Sequence, residues 1–220
     1  MSVTDVTIPW MSVTVITPFD MGNIGGVGRW QPDALGRLER AAMDLYRERG
    51  FENTTVAEIA ERAGLTERTF YRHYADKREV LFGGAGALQE FLVGRVDDAD
   101  PSLSAIDVVL NAFTDAASVI FEERRDFARQ RQAIIAASPE LQEREQVKLA
   151  TLALAMAAAL RRRGVPDPSA SLAAESGATM FKVAFERWTS EGGNPPLSEA
   201  IRACADELEA MTAARTPADG

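Results

Sequence analysis

From residue 30 onward, apolar residues return every three or four positions, the period of an α-helix with one buried face. Leu35, Leu38, Ala42, Leu45 and Tyr46 mark a helix over about 33–49, opened by Pro32 and Asp33 and stopped by Gly50. Val56, Ile59, Ala60 and Ala63 line a short second helix, 56–63, which the Asn53–Thr55 stretch can cap. Gly64 ends it, because a left-handed residue suits glycine. Thr66 caps a third helix, 67–73, with Glu67 in its first turn. Asp76 opens a fourth, with Val80, Leu81 and Leu88 inward. The same period continues to the C-terminal end, punctuated by Pro101 and by Gly164–Pro168. Ser138 and Pro139 start one of these helices, and the RRRG of 161–164 ends it, where arginines favour the helix dipole or bind an anion. No strand-rich section is present, so the class is all-α.

Residues 1–28 break the pattern. "MSVTDVTIPW" and "MSVTVITPFD" nearly repeat, without a helical period, and read as a flexible arm in which Met11 or Met21 could be the true start. The glycines after them fit no phosphate-binding motif. Residues 29–82 then form the head, 83–214 a larger helical domain, and 215–220 a disordered tail.

Composition narrows the classes. With 46% hydrophobic residues, the 220-residue chain has material for a sizeable core. Its single cysteine, Cys204, permits no internal disulfide, and no charged signal start precedes an apolar run, so a cytoplasmic setting is expected. The longest apolar run, 149–160, is too short to cross a bilayer. No Ser/His/acid set, Cys/His pair or metal-ligand cluster is visible, so neither catalysis, a metal nor a cofactor is expected.

The net charge of −9 argues against nucleic acid until its distribution is considered. Residues 29–79 hold ten Lys/Arg and ten Asp/Glu, so the deficit lies elsewhere and this segment can present a basic face. The two short helices joined by "GLT" have room only for a tight corner, with small Ala60 beside it and Val56, Ile59, Leu65 and Phe70 beneath. That is the sequence form of a helix-turn-helix, whose second helix enters the major groove. Its outer face carries Thr66, Glu67, Arg68, Thr69 and Arg72. Arginine can bridge guanine O6 and N7, and glutamate can accept from cytosine N4. Tyr71, His73 and Lys77 are expected to donate to phosphates, as is the helix start at Thr55. Tyr74 reads instead as a packed ring.

The run "TTVAEIAERAGLTERTFYRHYADKREVLF" (54–82) resembles the signature of the tetracycline-repressor (TetR) family, on Thr55, Ala60, Gly64, Thr69, Tyr71, His73 and Lys77. The resemblance implies an all-helical homodimer. A three-helix head would bind a palindromic double-stranded DNA operator; a larger domain would bind a small effector and dimerise through its last two long helices. Residues 131–165 and "FERW" (185–188) resemble mycofactocin-system regulators, implying an acyl-CoA-like effector.

In the C-terminal half, Ala174, Ala178, Phe181, Phe185 and Trp188 form one stripe and Leu197, Ile201, Cys204, Leu208 and Met211 another. Each suits either a four-helix dimer interface or an intramolecular core. Effector-binding candidates are Phe113, Phe121, Phe127, Leu152 and Met156 as apolar walls, with Arg125 and Arg131 as anchors for an anionic group. The reading is of a transcriptional regulator, a repressor released by its effector, with helix 4 and its glycines 83, 84 and 86 as the lever.

Overall fold

The computed structural model describes residues 33–190 and 195–213; the arm at 1–28 and the tail at 215–220 lie outside the described residues. Among the described residues there are nine α-helices and no strand. They divide into two compact units, and the division falls after Gly84, two residues past the expected end of the head.

In the first unit, α1 (Ala34–Arg49), α2 (Val56–Arg62) and α3 (Glu67–His73) fall within a residue of the sequence reading. Leu38, Leu45, Tyr46, Ile59, Ala60 and Phe70 form the core. Gly64 adopts φ 63°, and its neighbour's N–H, from Leu65, reaches back to the Ala60 carbonyl at 2.8 Å. This left-handed close lets the chain turn sharply into α3. A Cβ at Gly64 would also stand 2.7 Å from the Arg37 guanidinium, which donates to the Ala63 carbonyl. Arg37 thus ties α1 to the corner, and Arg62 ties α2 to α1 through both oxygens of Glu48, each at 2.9 Å.

The fourth helix does not begin at Asp76. Asp76 Oδ1 accepts from the backbone N–H of Arg78 (2.8 Å) and Glu79 (3.2 Å), closing a turn. A 3₁₀ turn follows at Glu79–Phe82, and the α-helix α4 starts only at Ala85 and runs to Asp97. Gly83 and Gly84 contribute no helix propensity to bridge the gap. Gly83 also faces the buried Tyr74 ring, where an added Cβ would approach within 3.1 Å.

The second unit begins with α4 and continues with α5 (Ala105–Ala116), which runs through a π turn (Ala117–Phe121) and a 3₁₀ turn (Glu122–Arg124) into α6 (Arg125–Ala136). Then come α7 (Pro139–Arg162), α8 (Asp167–Thr189) and α9 (Leu197–Ala213). Helix α8 is central, packing on α5, α6, α7 and α9. Where α8 crosses α5, Gly177 allows an approach so close that a Cβ would meet Val109 Cγ1 at 2.1 Å. The three arginines that end α7 are structural. Arg162 grips both oxygens of Asp97, Arg163 donates to the carbonyls of Asp97, Ala99 and Asp100, and Arg161 pairs with Asp167 and Ser171. Arg162 and Arg163 cap the end of α4, and Arg161 holds the start of α8.

The apolar stripe of α8 is core. Ala174, Ala178, Phe181, Phe185 and Trp188 are all buried within their own chain, as are Leu197, Ile201 and Cys204 of α9. The period correctly marks a buried face, and α5 and its π turn fill it. Of the two stripes, Leu208 and Met211 alone remain exposed.

Candidate nucleic-acid interface

Helix α3 is held from behind and free in front. Phe70 is fully buried, and the rings of Tyr71 and Tyr74 lie 5.5 Å from it. Tyr74 is buried, as expected of a packing residue, and burial pushes its phenol well above the usual range, with the Glu39 and Asp33 carboxylates adding to the effect. The other side of the helix presents Thr66, Glu67, Arg68, Tyr71 and Arg72 to solvent. Tyr71 keeps 56% of its surface exposed, which is costly for a large ring with nothing to cover it. Among the described residues, Arg68 makes no hydrogen bond or ion pair, so its five donors face outward uncommitted.

The helix start is fixed by hydroxyls. Thr66 Oγ1 accepts from the Thr69 N–H at 3.2 Å and lies 3.0 Å from Thr69 Oγ1, so both threonines are tied to the cap. At α2, Thr55 and Glu58 form a reciprocal box: Thr55 N–H and Oγ1 donate to Glu58 Oε2 at 2.9 Å each, and Oγ1 accepts from Glu58 N–H. Arg49 holds the second oxygen of Glu58 at 2.5 Å. These bonds, the Thr55 backbone and hydroxyl first, keep the Glu58 carboxyl below its ordinary range. At the helix start expected to favour phosphate, the Thr55 N–H and hydroxyl are therefore already donating within the box.

At the end of α3, Arg72 Nη2 lies 3.2 Å from His73 Nε2. Partial burial, and then the Arg72 charge, hold the imidazole below its ordinary value, so it is neutral at neutral pH.

Lys77 departs from the expectation. It lies in the turn before the 3₁₀ segment, and its ammonium is turned inward. It donates to the carbonyls of Phe51 (2.8 Å), Thr54 (3.0 Å) and Glu52 (3.4 Å) and sits 4.2 Å from the Phe51 ring centre. Its own carbonyl accepts from the Tyr46 hydroxyl at 2.6 Å. The acceptors are backbone groups of a loop that cannot bond within a helix. Lys77 thus latches the loop leading to Thr55, and its charge is not presented to a phosphate. Arg37 and Phe51, which complete this frame, were missed by the sequence reading; only the left-handed Gly64 pointed to a partner at the corner.

The family model for bacterial regulatory proteins of the tetR family matches residues 39–82, the segment just described. Over these residues the chain is similar to members of that family. It is similar to a protein named for regulating mycofactocin biosynthesis, MftR of Mycobacterium tuberculosis, 27% identical over 187 residues, covering 84% of this chain and 93% of the other. It shares its fold with Thermus thermophilus FadR, a TetR-family repressor (TM-score 0.50, 24% identity, 84% and 99% of the two chains). The Bacillus subtilis regulator FadR is a further match (TM-score 0.51, 16% identity, 78% and 96%). No helix among the described residues is long and apolar enough to cross a membrane.

The apolar residues expected to line an effector site divide into three groups. Phe113 stacks on Phe181 at 5.0 Å, and Phe121 touches Phe181 (5.7 Å) and Phe185 (5.5 Å), forming one aromatic cluster that ends on Trp188. Leu152 and Met156 lie on the buried face of α7. Phe127 sits beneath the Arg124 guanidinium at 4.8 Å. The expected basic anchors are committed internally. Arg125 Nε donates to the Trp188 carbonyl at 2.9 Å, and Arg131 pairs with Glu145 at 3.1 Å, both carboxylate and guanidinium largely buried. Glu145 was missed because it lies on another helix, 14 residues away. Among the described residues no cluster of metal ligands occurs.

Proposed function

We propose that this protein is a repressor that binds a palindromic operator as a homodimer and is released by a small apolar or acyl-CoA-like effector. One observation carries the DNA reading: α3 turns Arg68, Arg72, Glu67 and the exposed Tyr71 outward while Phe70 anchors it from behind. Such a helix, fixed in orientation and rich in donors, suits the major groove. Arg68 and Glu67 read base edges; Tyr71, Arg72 and His73 meet phosphates. Thr55, Thr66, Thr69 and Lys77 serve indirectly, by setting helix starts and the loop.

A two-fold partner puts two such helices on half-sites about one helical turn apart. The apolar surface available for it is not the α8 stripe but what remains exposed: Val147 and Leu154 on α7, Leu172 and Val183 on α8, with Leu208 and Met211 on α9. The two long helices α7 and α8 are each about 35 Å long and about 10 Å apart. They offer about 700 Å² per protomer, close to what a specific interface buries. For the effector, the aromatic cluster around Phe121 supplies apolar contact, and the two FadR structures hold lauroyl-CoA and stearoyl-CoA.

A gel shift with DNA from upstream of the protein's own gene, at several salt concentrations, tests the reading. Specific binding weakens steeply with salt, and Arg68→Ala relaxes base preference by about 1–3 kcal/mol at one position of each half-site. Lauroyl-CoA releases the DNA. Equal binding to random competitor refutes the operator, and undiminished binding with lauroyl-CoA refutes that effector class.

A further inference from the structure

Arg72 and His73 are sequence neighbours whose side chains meet at 3.2 Å, Nη2 to Nε2. A guanidinium carries N–H donors and no acceptor. The proton in this contact therefore belongs to Arg72, and Nε2 of His73 accepts it. A neutral imidazole holds a single N–H, so with Nε2 accepting, that proton must sit on Nδ1.

We propose that Arg72 is a positioning residue for DNA binding: it locks His73 in the Nδ1–H tautomer, so that Nδ1–H is the donor the ring offers to a backbone phosphate. This rests on the reading of α3 as the DNA-facing helix. It gives Arg72 a second task beside its own phosphate contact, and it makes that task sensitive to acid. A proton added at Nε2 replaces the acceptor by a donor that faces another donor, so the contact breaks and Arg72 is freed toward the DNA.

The surroundings fix the direction of the pH effect. Burial and the Arg72 charge together hold the free ring below its ordinary 6.5. Among the described residues, Arg72 is the charged group acting on the ring; no carboxylate from α1, α2 or the 74–84 segment opposes it. A phosphate brought beside the ring adds a negative charge and raises the value. The complex then binds more protons than the free protein in the interval between the two values, so affinity rises as pH falls through it. Above that interval the neutral Nδ1–H donor carries the contact and affinity is flat.

The chain holds one histidine, so the imidazole nitrogens of the untagged, ¹⁵N-labelled full chain give a single ring system in a long-range proton–nitrogen correlation spectrum. At neutral pH the expected pattern is Nδ1–H. Arg72→Ala moves it to the Nε2–H form that free imidazole favours and raises the titration midpoint toward the ordinary value. Arg72→Gln, which keeps a donor without the charge, retains Nδ1–H while the midpoint rises. An Nε2–H pattern in the unaltered protein, or an unchanged tautomer and midpoint in Arg72→Ala, overturns the proposal without any DNA present. Anisotropy of a labelled upstream duplex between about pH 5.5 and about pH 8 then reads the consequence. Affinity rises several-fold on the acid side; the rise begins at higher pH in Arg72→Ala and is absent in His73→Gln. A pH profile unaltered by Arg72→Ala overturns the coupling. Failure to bind the duplex at any pH refutes the DNA-facing reading instead, and the spectrum still decides the tautomer.

Discussion

Replacing Lys77 by methionine separates two roles that the residue could play. Methionine keeps most of the aliphatic stem and removes the ammonium. The lost contacts are two good charge-assisted hydrogen bonds, at 2.8 and 3.0 Å to Phe51 and Thr54, a marginal one at 3.4 Å to Glu52, and the approach to the Phe51 ring. Hydrogen bonds to a charged group contribute about 1.5 kcal/mol or more each, and a partly exposed cation–π contact contributes about 0.5–1 kcal/mol. Against this stands the rotamer freedom that an ordered lysine gives up, about 1.5–2 kcal/mol. The three carbonyls can also return partly to water. The net loss is about 2 kcal/mol. For a head of this size that lowers its melting temperature by about 8–16 °C, read by calorimetry or by circular dichroism at fixed salt. The loop from Phe51 to Thr54 then carries Thr55 less firmly, so operator affinity falls in proportion to the unfolded or misplaced head. The number of phosphates neutralised does not change, and the slope of log affinity against log salt stays the same. A phosphate-binding Lys77 gives the opposite pair of results: an unchanged melting temperature and a salt slope reduced by about one. That outcome would refute the latch.

Further outcomes follow from the same contacts. Gly177→Ala should lower stability by about 2 kcal/mol, because a 2.1 Å approach to the stiff, buried Val109 overpacks the crossing by more than the helix-propensity gain of about 1 kcal/mol; adding Val109→Ala should restore much of it in a double-mutant melt. Gly64→Ala should cost at least about 1 kcal/mol, since φ 63° and the Arg37 guanidinium both oppose a Cβ, and chemical denaturation measures it. Leu154→Glu with Leu172→Glu, at positions 64% and 68% exposed, should leave a folded monomer in light scattering, with operator binding reduced by about a hundredfold or more. A dimer of unchanged stability would move the interface off α7 and α8.

How much was legible in the sequence depends on which partner a residue needs. The head was legible because its signals are local: a 3.6-residue period, Thr55 and Thr66 at the caps, and a glycine where the backbone must turn left-handed. Each of these is decided within four residues. The outward face of α3 followed from the same period, since a helix with Phe70 buried must turn Arg68 and Arg72 away. The start of α4 was misplaced by nine residues because two glycines and the Asp76 turn outweighed the apolar spacing of Val80 and Leu81.

Long-range partners were not legible. The stripe on α8 announced a buried face, but its period is the same whether the cover comes from α5 or from a second chain. Arg125 and Arg131 announced positive charge, but not that the Trp188 carbonyl and Glu145 already use it. Lys77 is the sharpest case, because its partners are main-chain carbonyls, which every sequence contains and none displays. A cation counts toward an anion-binding surface only after the backbone has taken its share, and on that accounting the proposed DNA face of this head narrows to α3, where Arg68 is uncommitted and Arg72 is shared with the one histidine.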